Sequence, residues 1–238
     1  MTKRVKKRFT SDVKVIDFQP YLPQKKQRVS LHARNANQKT YIQKLQEEST
    51  SIVFAIGPAG TGKTMLAVQH GIKLYQEGIV DKIVVTRPAV SVDEDLGFLP
   101  GDLNEKMAPW TRPIFDVFAE YYQQKDIAKM LEEGVIEISP LAYMRGRTFK
   151  NAYIIADECQ NTTVNQMKML LTRLGEGSKM VVTGDLNQAD RLEDNGLVDF
   201  CNLLANKNLK HIDIIEFDHR DIERHHAVKE VLAIYGDS

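Results

Sequence analysis

The fourteen residues from 51 to 64, SIVFAI followed by GPAGTGKT, leave the 238-residue chain fewer options than any other stretch. A short β-branched run that ends at glycine reads as a buried strand. From Lys63 to Tyr75 a helix follows, with Met65, Leu66, Val68, Ile72 and Leu74 as its apolar residues. Between strand and helix, glycines let backbone N–H groups turn toward an anion without a Cβ in the way. The start of the helix points its positive end at the same place. Lys63 supplies a point charge for β and γ phosphates, and the Thr64 hydroxyl is placed to ligate Mg²⁺. The expected nucleotide-binding residues are therefore Gly57, Pro58, Ala59, Gly60, Thr61, Gly62, Lys63, Thr64 and Met65. The competing reading is a plain glycine-rich turn. The strand before it and the helix after it argue for the phosphate site.

The rest of the chain repeats this strand-then-helix order. DKIVVTRP, VIEIS (135–139), AYIIAD (152–157), SKMVVTGD (178–185) and HIDIIEF (211–217) read as strands. Helical stretches are expected at 36–48, 163–173, 196–205 and 223–234. A Gly- and Pro-rich stretch at 91–113 is expected to lead into helical segments that end near residue 132. Alternation of this kind predicts an α/β fold, a parallel sheet with helices on both faces. Continuous apolar runs suit strands buried on both sides. Ligands then belong at the carboxyl ends of the strands, and four segments turn polar there: Gly57 onward, Arg87, Asp157-Glu158 and Thr183-Gly184-Asp185.

Two of those ends add chemistry. In AYIIADECQN, Asp157 at a buried strand tip would hold the magnesium shell, and Glu158 would polarise the attacking water. The plainer reading is a pair of acids capping a helix, where its dipole favours them. In VVTGDLNQ, Thr183, Asp185 or Gln188 would sense the γ-phosphate. Gln188 is the chosen relay, because an amide bonds water and phosphate together.

Charge is unevenly spread. Residues 1–40 hold eleven Lys or Arg and two Asp, +9, so residues 41–238 carry −9 and the total is zero. Residues 1–34 read as a basic arm and 35–238 as a single domain. The arm either binds a polyanion through its phosphates or is a solvated tail, one that can also pair with the acidic body of a neighbouring subunit. The two cysteines, Cys159 and Cys201, form no CxxC pair, so neither a disulfide framework nor a cysteine zinc site is expected. No apolar run approaches the ~20 residues of a membrane span. No apolar segment follows the charged start MTKRVKKRFT, so no secretory signal is expected and the cytosol is the default. His219, His225 and His226 lack a third-ligand pattern, which favours a solvated or phosphate-facing role over zinc.

GPAGTGKT, VTRPAV, LGFLPGDLNEKMAPWTRPIFD, YMRGRTF, IIADECQN, TGDLNQ and DIERHHAV together resemble the PhoH family of P-loop ATPases, from about Asn37 to Tyr235. That resemblance implies a RecA-like P-loop NTPase related to superfamily 1 helicase motors, with ATP and Mg²⁺ as cofactors and an association with phosphate starvation. It implies that Gln38 reads the adenine edge. It implies that Arg87, Arg145 and Arg147 face phosphate or a nucleic-acid strand, and that Arg224 serves as an arginine finger. His226 stands where the family has proline.

Motors of this type take the finger arginine from a second RecA-like domain, and only one is expected here. The arginine would then come from a neighbour, in a homo-oligomeric ring that the resemblance makes a hexamer. The expected activity is Mg-dependent ATP hydrolysis, with Lys63, Glu158, Gln188 and Arg224 as the catalytic set, coupled to single-stranded RNA or DNA. The alternative is an ATP-dependent oligomeric switch or scaffold with slow turnover. Glu158 argues for the enzyme, since a pure binder has no use for a base.

Overall fold

The computed structural model describes residues 27–88, 103–189, 194–205, 207, 209–223 and 226–235. The six strands expected from the sequence are present: β1 (Ile52–Ile56), β2 (Lys82–Thr86), β3 (Ile136–Ile138), β4 (Ala152–Ala156), β5 (Lys179–Gly184) and β6 (Ile212–Glu216). They form one sheet in the order β3-β2-β4-β5-β1-β6, and every pairing is parallel.

Alternation along each strand explains why the runs are continuously apolar. Val53, Ala55, Ile83, Val85, Tyr153, Ile155 and Val181 point into one core. That core is closed by α1 (Ala36–Gln46), α2 (Lys63–Gln76), α3 (Leu103–Tyr121) and α4 (Gln124–Glu132). Ile52, Phe54, Ile56, Val84, Ile154, Met180 and Val182 point into the other. There the cover is α5 (Val164–Leu171), α6 (Gly196–Leu204) and the short helix Leu141–Met144. The last helix, α7, runs from His226 to Tyr235. The expected α/β fold, with helices on both faces, is the one observed.

Packing is tight enough for single atoms to matter. A Cβ on Gly71 of α2 would stand 2.6 Å from Tyr153 Cδ1 on β4. Tyr153 is fully buried, and its hydroxyl lies 3.1 Å from His70 Nδ1, so the ring has nowhere to go. Gly71→Ala should therefore cost about 1–3 kcal/mol by overpacking, read as a lower thermal midpoint. An unchanged midpoint would show that helix and sheet can slide apart cheaply.

Two features depart from the sequence reading. Helix α3 starts at Leu103 and runs through Pro109 and Pro113, inside the Gly- and Pro-rich stretch expected only to lead into helical segments. The apolar face of Ile114, Val117, Phe118 and Tyr121 is buried against the first core, and Gln69 Nε2 donates to Tyr121 O–H at 3.0 Å. That burial outweighs local propensity. The prolines stand four apart, so the N–H missing at Pro113 is the one that would have bonded the Pro109 carbonyl. Within the expected arm, Val29 is buried in the first core, and its N–H bonds Gln76 Oε1 at 3.3 Å. Residues 1–26 lie outside the described residues.

The register brings the functional ends together. Ile56 lies opposite both Gly184 and Glu216, and Thr86 lies opposite Ala156. The chain therefore leaves β1, β2, β4 and β5 side by side, at Gly57, Arg87, Asp157 and Asp185.

Candidate functional site

Gly57 opens the loop at φ 144°. A Cβ there would meet the Phe217 carbonyl oxygen at 2.3 Å, so β6 and the loop can close only on glycine. Gly62, at φ 84°, is the left-handed residue from which α2 starts. Inside the loop the Thr61 hydroxyl donates to the Pro58 carbonyl at 3.0 Å. Ala59 and Gly60 are exposed at the rim, and Met65 is half-buried on the first turn of α2. The Lys63 ammonium lies within the curve, donating to the Gly57 and Pro58 carbonyls at 2.6 and 2.7 Å. Burial pushes its pKa down, against the upward pull of the Asp185, Glu158 and Asp157 carboxylates.

Two hydroxyls converge on one carboxylate oxygen. Thr64 Oγ1 and Thr183 Oγ1 donate to Asp157 Oδ1 at 2.7 and 2.6 Å. Loop, β4 and β5 therefore share a single polar centre. The set fits a magnesium nucleotide: a glycine-walled loop at a helix start for phosphates, an ammonium beside it, and hydroxyl and carboxylate oxygens of the kind a hard cation takes. Among the described residues no three His, Cys, Asp or Glu side chains form a metal cluster of their own. His219 is exposed. His225 and the His226 side chain lie outside the described residues.

Glu158 follows directly, at φ 55° and ψ 42°. It opens onto a polar cleft of about 530 Å³ that it shares with Arg87, Gln160, Asn161, Asn187 and Gln188. Gln188 is exposed, at the end of the short helix Leu186–Gln188. Arg87 reaches across to the Trp110 carbonyl at 3.2 Å. The structure thus gathers Lys63, Thr64, Asp157, Glu158, Gln188 and Arg87 along one edge.

Gln38 is buried beneath the loop, and both ends of its amide serve the backbone. Nε2 donates to the Thr61 carbonyl at 3.0 Å, and Oε1 accepts from the Arg34 N–H at 2.8 Å. Each end keeps one further hydrogen-bonding site, since the amide carries two N–H donors and two carbonyl lone pairs. Arg147 pairs with Glu137, donates to Ser139 Oγ at 3.5 Å and lies 4.5 Å over the Phe149 ring. Burial would raise the Glu137 pKa, but Arg147 and Lys82 hold it below the ordinary range. Arg145 is exposed on the same loop. Arg224 lies outside the described residues.

Three contacts that the sequence did not single out hold the C-terminal segment against the loop and the start of α1. The Glu223 N–H donates to the Gly60 carbonyl at 3.0 Å. Asn37 Nδ2 donates to Asp221 Oδ2 at 2.7 Å, and Asn35 Nδ2 to the Asp221 carbonyl at 3.2 Å. The Asn37 and Asn35 contacts with Asp221 span 184 and 186 residues, so no local pattern marks them.

The sequence that builds this site has relatives among known proteins. The family model described as PhoH-like protein covers residues 30–236. The chain belongs to the PhoH family. A PhoH-like protein of Bacillus subtilis is 45% identical over 208 residues, which is 87% of this chain and 64% of the relative. Protein PhoH of Escherichia coli K12 is 42% identical over 208 residues, 86% of this chain and 58% of the relative. The chain thus spans about three-fifths of the length of these PhoH relatives. Among solved structures, the Sulfolobus solfataricus SWI2/SNF2 ATPase core in complex with dsDNA aligns at 18% identity with a TM-score of 0.38, over 74% of this chain and 37% of that one. Among the described residues no helix is long and apolar enough to cross a membrane, and neither cysteine is in a disulfide.

Proposed function

We propose that this PhoH-family chain is a Mg-dependent ATPase that couples hydrolysis to binding or unwinding of single-stranded RNA or DNA. One observation carries the reading: the Thr64 and Thr183 hydroxyls meet on Asp157 Oδ1, with Glu158 next along the chain. When bound, Mg·ATP would supply the phosphoryl group to be transferred and a cation that neutralises its charge. The loop from Gly57 to Gly62 and the first amides of α2 hold the phosphates. Lys63 turns its ammonium from the loop carbonyls to a phosphate oxygen. Thr64 and Asp157 hold the cation. Glu158 orients water and accepts its proton, and Gln188 relays the state of the site to the cleft.

The same proposal includes a homo-oligomeric ring, a hexamer, with the nucleotide between subunits and Arg224 as the finger. A basic arm at 1–34, together with Arg87 and Arg145, offers cations to a nucleic-acid backbone. The expected location is the cytosol.

Adding a single-stranded polynucleotide at low salt should raise the ATPase rate several-fold, and the rise should fade as salt screens phosphate contacts. A rate indifferent to RNA and to DNA at low salt would remove the nucleic-acid part. Lys63→Ala should weaken Mg·ATP binding by roughly tenfold or more, since it removes a charge-assisted contact. A variant that binds and splits ATP like the parent would overturn the nucleotide reading. Mass in solution tests the ring.

A further inference from the structure

Gln160 lies two residues past Glu158 and is buried. Both ends of its amide are engaged. Nε2 donates to Glu158 Oε2 at 2.5 Å, and Oε1 accepts from the Asp185 N–H at 3.3 Å. Only this orientation of the amide satisfies both partners, because a carboxylate needs a donor and an N–H needs an acceptor.

The backbone of Gln160 is anchored as well. Its carbonyl accepts from Asn195 Nδ2 at 2.7 Å. Asn195 in turn caps α6, its Oδ1 accepting from the N–H groups of Leu197 and Val198 at 3.1 Å each. Gly184 leaves the space for this arrangement. A Cβ there would stand 2.5 Å from Leu197 Cδ2 and 3.2 Å from Gln160 Oε1. On the far side, Asp185 Oδ1 accepts from the Asn187 N–H at 3.0 Å, and the Gln188 N–H bonds the Asp185 carbonyl at 3.1 Å. One amide therefore joins the carboxylate at the end of β4 to the turn that carries Gln188.

We propose that Gln160 is a positioning residue that fixes the Glu158 carboxylate at the cleft and couples it to the 185–188 turn. This rests on the hydrolytic reading of the site. Glu158 is held by its backbone on one side and by Gln160 at its tip, so a displacement of either end is felt at the other. A residue that merely filled space beside α6 would need the volume of Gln160 but neither of its polar atoms.

Two substitutions separate these roles. Gln160→Met keeps the volume and removes both donor and acceptor. Gln160→Glu keeps an acceptor for the Asp185 N–H but sets a like charge against Glu158. The full chain is measured without nucleotide by amide hydrogen exchange and thermal midpoint, then with Mg·ATP for Kd and kcat. In Gln160→Met, exchange at the Asp185 amide should rise roughly tenfold or more as the bond that protects it is lost. Its kcat should fall about 10–100-fold while Kd for Mg·ATP moves less than about 3-fold, as expected when a group is misplaced but still present. Gln160→Glu should keep exchange at Asp185 near the parent value and lose at least as much kcat.

A Gln160→Met protein with parental kcat, or with parental exchange at Asp185, overturns the proposal. If that variant does not fold, parental kcat in Gln160→Glu overturns it equally. A parent that hydrolyses no ATP brings down the hydrolytic reading and this role with it. That failure is told apart because it appears in the parent, before any substitution.

Discussion

Glu158→Gln is expected to lower the turnover number by about 10²–10⁴ and to leave Mg·ATP affinity within about 3-fold. The substitution keeps the size of the side chain and removes its basicity. Glu158 is half-buried at the mouth of the cleft, next to Asp157 but turned to a different task. Asp157 is buried, and two hydroxyls fix its carboxylate through Oδ1, an arrangement suited to holding a cation. Glu158 lines the cleft instead. Its left-handed backbone at φ 55° costs a non-glycine residue about 1–3 kcal/mol, and the surroundings must over-determine it. Strain kept at such a position points to function rather than to capping, since Glu158 makes no side-chain cap bond to the short helix after it. Single-turnover ATP cleavage by Glu158→Gln, beside equilibrium binding of Mg·ATP, reads both quantities. A variant that turns over at the parental rate removes the base and leaves the switch or scaffold reading in its place.

The sequence makes the sheet legible because its strands are short, continuous and apolar. Val53 and Phe54 must face opposite cores, and both faces being covered leaves no alternation to misread. The glycine-rich loop is legible for a related reason: glycine spacing and the lysine-threonine pair are local. What escapes a local reading depends on partners far away in the chain. Arg147 sits in a basic run, yet its charge is answered by Glu137 on a strand and its plane by Phe149. Gln38 lies 23 residues from the Thr61 carbonyl that it supports. Gln160 lies within IIADECQN, but nothing in that string says that its amide meets Asp185 at the end of another strand. Helix α3 fails the propensity rule at Pro109 and Pro113 because its apolar face finds α2, a contact that composition alone does not announce.

Arg224→Ala should cost more than any other substitution, about 10³–10⁵ in turnover, with nucleotide binding nearly intact. A transferring phosphoryl group needs positive charge on the side away from the loop. Among the described residues, Lys63 belongs to the loop itself, and Arg87 is directed to the Trp110 carbonyl. Glu223 is bonded to Gly60 of its own loop, and Arg224 is the next residue in the sequence. Two sources of the charge follow: the same subunit, through that short path, or a neighbour in the ring. Mixing Arg224→Ala with Lys63→Ala protein separates them. The Arg224→Ala subunit keeps a working loop and the Lys63→Ala subunit keeps the arginine. If the arginine acts across an interface, a random equal mixture forms complete sites at about a quarter of its interfaces, and activity returns to that extent. That recovery is the expected result. A mixture as inactive as its two components assigns Arg224 to its own loop, and the nucleotide then has no need of a second subunit.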